Sequence, residues 1–233
     1  MIYGLQQSGL LSGIQLHLDI PAVTALKFMH DEVDVALLPC GVLPRLNNYK
    51  IITNNCIGAI NQVKTVAIFA NQPLEQLDKI YLDYQSRTSV ELLRILLKEY
   101  WKLPAIELLP ASEGFEQRIK ENEAALLIGD KTFPFLADTP YQYDLATAWH
   151  EHTGLPFAFA VWVAKPTVSE EWITLFDKAL ETGVANRNQL AFQLAHTNPE
   201  IDWMDYFYNC ISYNLDDAKR KAIKLFTEKI QLT

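Results

Sequence analysis

Residues 14–20 (IQLHLDI) alternate apolar and polar side chains with period two, the spacing of a half-buried strand. Pro21 follows, where a missing N–H does no harm, and predicts a helix over residues 22–31. Residues 33–39 (VDVALLP) read as the next strand, so strand, helix and strand form a βαβ unit expected to be parallel and right-handed. A loop rich in Asn and Pro is expected over residues 44–55. One long extended run then covers residues 56–70, with Val63, Thr65, Ala67 and Phe69 on one face, and Asn71-Gln-Pro73 ends it.

A second βαβ pattern starts at residues 79–83 (KIYLD). Its helix spans residues 89–101, with Val90, Leu93, Leu97 and Trp101 on one face. Strands are predicted at 106–109, 124–128 and 155–164, and a helix at 114–121. The tail is helical. Thr167 and Glu170 have capping-box spacing ahead of Trp172, Leu175, Phe176 and Leu180. Further helices are predicted over 188–196, 201–212 and from Asp216 to near Ile230. This order describes two α/β lobes, one of residues 1–66 and 160–233 and one of 67–159. Two extended crossings join them, with a helical C-terminal tail. Ligands of such open sheets bind beyond the carboxyl ends of the strands, which here face an interlobe cleft.

Composition narrows the function classes. Of the 233 residues, 49% are apolar and 21% charged, as in an ordinary globular chain. The formal charge is −8 and no basic stripe occurs, which argues against nucleic acid as a partner. No apolar run approaches the roughly 18 residues of a membrane span, so no membrane partner is expected. The first residues (MIYGLQQS) carry neither a basic nor an apolar signal region, and the expected compartment is the cytoplasm. Cys40, Cys56 and Cys210 have no CxxC spacing, which argues against disulfides and zinc.

The segment Asp83-Tyr-Gln-Ser-Arg-Thr-Ser-Val90 joins a strand to a helix. Thr88 and Glu91 have capping-box spacing, so the helix starts at Thr88 or Ser89. Its free first-turn N–H groups and dipole favour an anion. The hydroxyls of Ser86, Thr88 and Ser89 and the planar fork of Arg87 add donors suited to a carboxylate. A well-capped helix with Arg87 in solvent explains the same letters. Gly129 and Asp130 follow a strand directly. Asp130 is the candidate acid or base at the cleft, or else a turn residue. Gly41 is a place for a ligand to approach the backbone, and Cys40 reads as a small cleft-lining residue. Asn55 is a cleft amide or a turn former. Gly154 and Phe157 open the return crossing, Phe157 as cleft wall or core. The His150 and His152 spacing is not that of a helical zinc pair.

Taken in order, several segments resemble a family of menaquinone-biosynthesis proteins, the chorismate dehydratases of the futalosine route. They are residues 33–39, 56–58, 86–97 (SRTSVELLRILL), 125–130 (ALLIGD), 143–145, Trp149, 153–162 (TGLPFAFAVW) and 211–215. The resemblance implies a type II periplasmic-binding-protein fold used as a lyase that converts chorismate to 3-[(1-carboxyvinyl)oxy]benzoate. It implies no metal and no organic cofactor. A homodimer is compatible with it. A sister synthase of the pathway, which makes dihydroxynaphthoate, carries Ile-His-Glu where this chain has Ile128-Gly-Asp130. A non-catalytic small-anion binder is the alternative from another class. Members of the family begin with a strand and a Ser-Tyr-x-Asn-type motif before the helix that here starts near Met1. The resemblance therefore implies a further strand, on the order of 10–20 residues upstream with its loop. That strand would lie between residues 14–20 and 33–39.

Overall fold

The computed structural model describes residues 1–10 and 13–232. Helices α1 (Ile2–Gln7) and α2 (Pro21–Met29) precede strand β1 (Val35–Pro39) and the long strand β2 (Lys50–Ala59). Strands β3 (Val66–Ala70) and β4 (Lys79–Leu82), helix α3 (Thr88–Glu99), and strands β5 (Glu107–Pro110), β6 (Glu123–Ile128) and β7 (Tyr141–Asp144) follow. Helix α4 (Leu145–Thr153) leads to β8 (Phe157–Ala164). The tail comprises α5 (Glu170–Ala185), α6 (Arg187–Thr197), α7 (Trp203–Asp205), a π-turn at Tyr206–Cys210, β9 (Ser212–Asn214) and α8 (Asp217–Gln231).

Two sheets result. The first has the order β1-β8-β2-β9 and every pairing in it is antiparallel. The second has the order β5-β4-β6-β3-β7. In it β4 runs parallel to β5 and β6, while β3 runs antiparallel to β6 and β7. Antiparallel β3 is what the outward crossing requires, since the chain enters this sheet at the edge facing the first one. Strands β3 and β6 are buried along almost their whole length, as sheet strands covered on both faces are. One apolar core is continuous through both lobes, from Leu38 and Val161 through Leu92 and Leu93 to Ile68 and Ile80.

Several expectations change. Residues 14–20 form no strand; Ile14, Leu16, Leu18 and Ile20 are exposed, Leu18 at 69%. The first βαβ unit is therefore not closed, because β1 pairs only with β8. Beside β1 lies a cavity of about 1180 Å³ lined by residues 13–19, Met1, Leu37, Trp162 and Phe176, among others. The expected loop over 44–55 is half strand, because Lys50 begins β2. The single run over 56–70 breaks at residues 60–65, where the chain changes sheets. Helix α5 is capped by Ser169, whose Oγ accepts from Trp172 N at 3.3 Å, and not by Thr167. The helix at 114–121 is a short 3-10 turn, Phe115–Arg118. The expected helix over 201–212 divides into α7, the π-turn and β9, which pairs with β2. The sequence reading had no counterpart for β7 or for the first part of α4.

Candidate functional site

Parallel pairing of β4 and β6 sets their carboxyl-end loops side by side at one edge of the second sheet. The loop after β4 carries Ser86 and Arg87; the loop after β6 carries Gly129 and Asp130. The Asp83 carboxylate, 1% exposed, ties the two loops together. It accepts from Lys131 Nζ at 2.8 and 2.9 Å, from Gln85 N at 3.0 Å and from Ile128 N at 3.3 Å. A buried carboxylate with this many donors is satisfied, and it consumes the Lys131 charge. Arg87 is exposed, and its side chain has no hydrogen bond or ion pair to a described residue. It stands at the amino end of α3, where the dipole adds to its positive field.

The predicted capping box does not form. Arg87 occupies the N-cap position without a side-chain cap, and Glu91 faces Arg45 at 3.9 Å and Arg94 at 4.0 Å. Ser86 caps the turn instead, its Oγ accepting from Ser89 N at 3.1 Å. The Ser86 hydroxyl proton stays available to an anion, whereas the Ser89 amide does not.

Thr88 and Ser89 are buried, and Thr88 clasps the lobes together. Its hydroxyl accepts from Gly41 N at 3.0 Å and donates to Phe159 O at 3.0 Å. Gly41 is needed here because a Cβ would stand 2.9 Å from the Thr88 Cα. What approaches the Gly41 backbone is the start of α3 and not a ligand, which corrects the sequence expectation. Cys40 beside it is fully buried, and burial pushes its thiol pKa well up, so it neither lines an open cleft nor forms a thiolate.

At the hinge the structure assembles a polar group that the sequence reading missed. Asp144 caps α4, accepting from Ala146 N at 2.9 Å and Thr147 N at 3.0 Å. It also accepts from Val63 N at 3.0 Å and Lys64 N at 2.7 Å, so one carboxylate ties the outward crossing to the start of α4. Burial raises its pKa and these bonds oppose that shift. Lys64 Nζ reaches Asp205 at 2.6 Å, and Thr65 Oγ1 shares a 3.0 Å hydrogen bond with the Tyr206 hydroxyl. Tyr206 is an electrostatic neighbour of Asp130, and chiefly burial pushes its pKa up to about 12. Asp130 itself is exposed at the start of the loop after β6. Tyr213, whose pKa burial also raises, lies beside Tyr206 and Arg187. The signal available for Tyr206 was only its place in an aromatic run (WMDYFY), which gives no long-range partner.

The remaining candidates lie elsewhere. Asn55 is buried and its Nδ2 donates to Asp177 of α5 at 2.8 Å. Gly154 is the left-handed C-cap of α4, its N donating to His150 O at 2.7 Å. Phe157 is core, packed edge-on against Trp149, Phe159 and Phe226 with centroids 4.8–5.3 Å apart. His152 faces Glu99 at 3.3 Å, and His150 lies 3.3 Å from Leu155 O. Among the described residues no group of three His, Cys, Asp or Glu could hold a metal ion.

The family model described as menaquinone biosynthesis matches residues 1–231. The chain belongs to the menaquinone biosynthesis family. This family member is 25% identical to the chorismate dehydratase of Thermus thermophilus over 245 aligned residues, which is 95% of this chain and 89% of that one. Among solved structures it is similar to protein AF1704 from Archaeoglobus fulgidus, with a TM-score of 0.72, 16% identity, and 99% and 93% of the two chains covered. It is also similar to the alkanesulfonate-binding protein SsuA of Xanthomonas axonopodis, with a TM-score of 0.66, 11% identity, and 100% and 90% covered. These likenesses show the fold alone: the two-lobed periplasmic-binding-protein architecture expected from the sequence.

Proposed function

We propose that this menaquinone-biosynthesis family member is a lyase that dehydrates chorismate to 3-[(1-carboxyvinyl)oxy]benzoate, the step of the futalosine route. The observation that carries the reading is the meeting of two loops at one sheet edge. Arg87 with the Ser86 hydroxyl comes from one loop, and Asp130 from the other. The likeness to a chorismate dehydratase across 95% of the chain supports it.

Chorismate carries two carboxylates, and an uncompensated guanidinium at a helix amino end suits one of them. The reaction removes a ring hydroxyl together with the proton of the neighbouring ring carbon, and water leaves. The ring becomes aromatic, so much of the driving force lies in the substrate. The protein's task is to hold the dianion, accept the proton and assist the departing hydroxide. Asp130 is the assigned proton acceptor. The Tyr206 phenol, neutral at working pH, is the assigned donor toward the leaving oxygen. The assigned compartment is the cytoplasm, in keeping with three unpaired buried thiols.

Incubation with chorismate, followed by absorbance and mass spectrometry of the aromatic product, tests the reading. Turnover by the wild type, with an Asp130→Asn loss of roughly 100-fold or more in kcat, is expected. Tight chorismate binding with no aromatic product would return the chain to the class of non-catalytic anion binders.

A further inference from the structure

Resting on the reading that Arg87 holds a substrate carboxylate while Asp130 takes a ring proton, we infer that Asp83 and Lys131 are positioning residues: their ion pair braces the two site loops and so sets Arg87 and Asp130 relative to one another. The parallel ladder of β4 with β6 ends at Leu82 and Leu126. Beyond it, side-chain bonds must hold the loops together, and Asp83 and Lys131 are 48 positions apart in the chain. A carboxylate offers about four acceptor sites, and Asp83 fills them. Gln85 N at 3.0 Å and Lys131 Nζ at 2.9 Å meet Oδ1, while Ile128 N at 3.3 Å and Lys131 Nζ at 2.8 Å meet Oδ2. The Asp83 side chain is fully buried. With its acceptor sites filled and no exposure, it acts through the loops and not on the substrate.

Each loop is also fastened on its own side. Ser86 N donates to Asp83 O at 3.2 Å, and Gly129 N to Thr65 O at 2.8 Å. Thr132 Oγ1 donates to Gly129 O at 2.8 Å. Lys131 Nζ lies 4.7 Å from the Tyr84 ring centroid, so its ammonium contacts two consecutive residues of the opposite loop. In contrast, Arg87 and Asp130 make no ion pair with a described residue. Lys131 is the chain neighbour of Asp130, yet its charge is neutralised by Asp83. A free Lys131 would compete for Asp130 or draw a substrate carboxylate away from Arg87. A misplacement of about 1 Å can cost on the order of 100-fold in rate, so a brace between these two groups carries kinetic weight.

Chorismate titration calorimetry, product absorbance and amide hydrogen exchange test the brace. The proteins compared are wild type, Lys131→Met, Lys131→Arg and the double variant Asp83→Asn/Lys131→Met, each with and without Arg87→Gln. The double variant guards against a fold lost to an unpaired buried carboxylate. Lys131→Met should lower kcat/KM on the order of 100-fold. Lys131→Arg should recover part of this, because it keeps the charge and more than one donor. Arg87→Gln should weaken binding roughly 10-fold or more in the braced protein and much less in the two unbraced variants. Removing Lys131 from the loop after β6 should also speed exchange at amides 84–87, on the loop after β4. Losses from Arg87→Gln and Lys131→Met that simply multiply overturn the inference, since that is the mark of a merely structural pair. An exchange change confined to residues 128–132 overturns it as well. If the wild type forms no product, the dehydratase reading falls, while exchange across the loops still decides the brace: faster exchange at 84–87 sustains it and unchanged exchange there removes it.

Discussion

Thr88 shows how much one side chain decides here. Its hydroxyl is buried between the start of α3, the Gly41 amide and the Phe159 carbonyl, and it satisfies both backbone groups. Valine has nearly the same shape but leaves a buried donor and a buried acceptor unpaired. Thr88→Val should therefore cost at least about 1–3 kcal/mol. Urea denaturation checks this, with Thr88→Ser, which keeps the hydroxyl, as the control. An unchanged midpoint in the Val variant would mean that the clasp contributes nothing. The same scale shows why Thr88 looked like an anion donor. Thr, Ser and Arg at a strand-to-helix turn carry suitable chemistry, but nothing in the letters reveals that Gly41, 47 positions earlier, already occupies the Thr88 hydroxyl.

Among the elements, β1 is an edge strand, paired only with β8, and its open edge borders the large cavity. Lys165 N donates to Asp34 O at 2.9 Å, and the register pairs Ala36 with Val163 and Leu38 with Val161. The N–H groups of Ala36 and Leu38 therefore face β8, and those of Val35 and Leu37 face the cavity. Residue-resolved hydrogen exchange should find the Val35 and Leu37 amides exchanging much faster than those of Ala36 and Leu38. Equal protection along the strand would show that the second edge is also engaged. Periodicity located β1, β4, β6 and β8 because their burial is regular. It erred at residues 14–20, where the alternation of a strand is present but no strand pairs with it. Alternation shows that one face is apolar; it does not supply a hydrogen-bonding neighbour.

For the whole molecule, the joint between the lobes is both apolar and polar. The continuous core supplies cohesion, and Asp144, Lys64–Asp205 and Thr65–Tyr206 fix the crossing geometry. Tyr206 makes this joint sensitive to alkali. Its pKa rises from the ordinary 10.0 to about 12 in the fold, mainly through burial. Below pH 10 the phenol is neutral in both states, and its contribution to stability is intact. Between pH 10 and about 12 the unfolded chain loses the proton while the folded chain keeps it, so stability falls as pH rises. Thermal midpoints should decline over that window, and Tyr206→Phe should flatten the decline. An identical pH profile in the Phe variant would assign the alkaline loss to other groups.

Local pattern alone indicated the two-lobed α/β class, most strands and the strand-to-helix turns whose chemistry suits an anion. These depend on burial periodicity and on the chemistry of strand-to-helix turns, both written within a few residues. Tertiary structure decided which of those groups remain free. It set Asp83 against Lys131, used the Thr88 hydroxyl on Gly41 and Phe159, and left Arg87 and Asp130 at one edge. It also set Tyr206 against Thr65 of the crossing, and Arg187 beside Tyr213, from a tail that reads only as helix. Whether a donor is available is a property of its partners, and those partners come from distant parts of the chain.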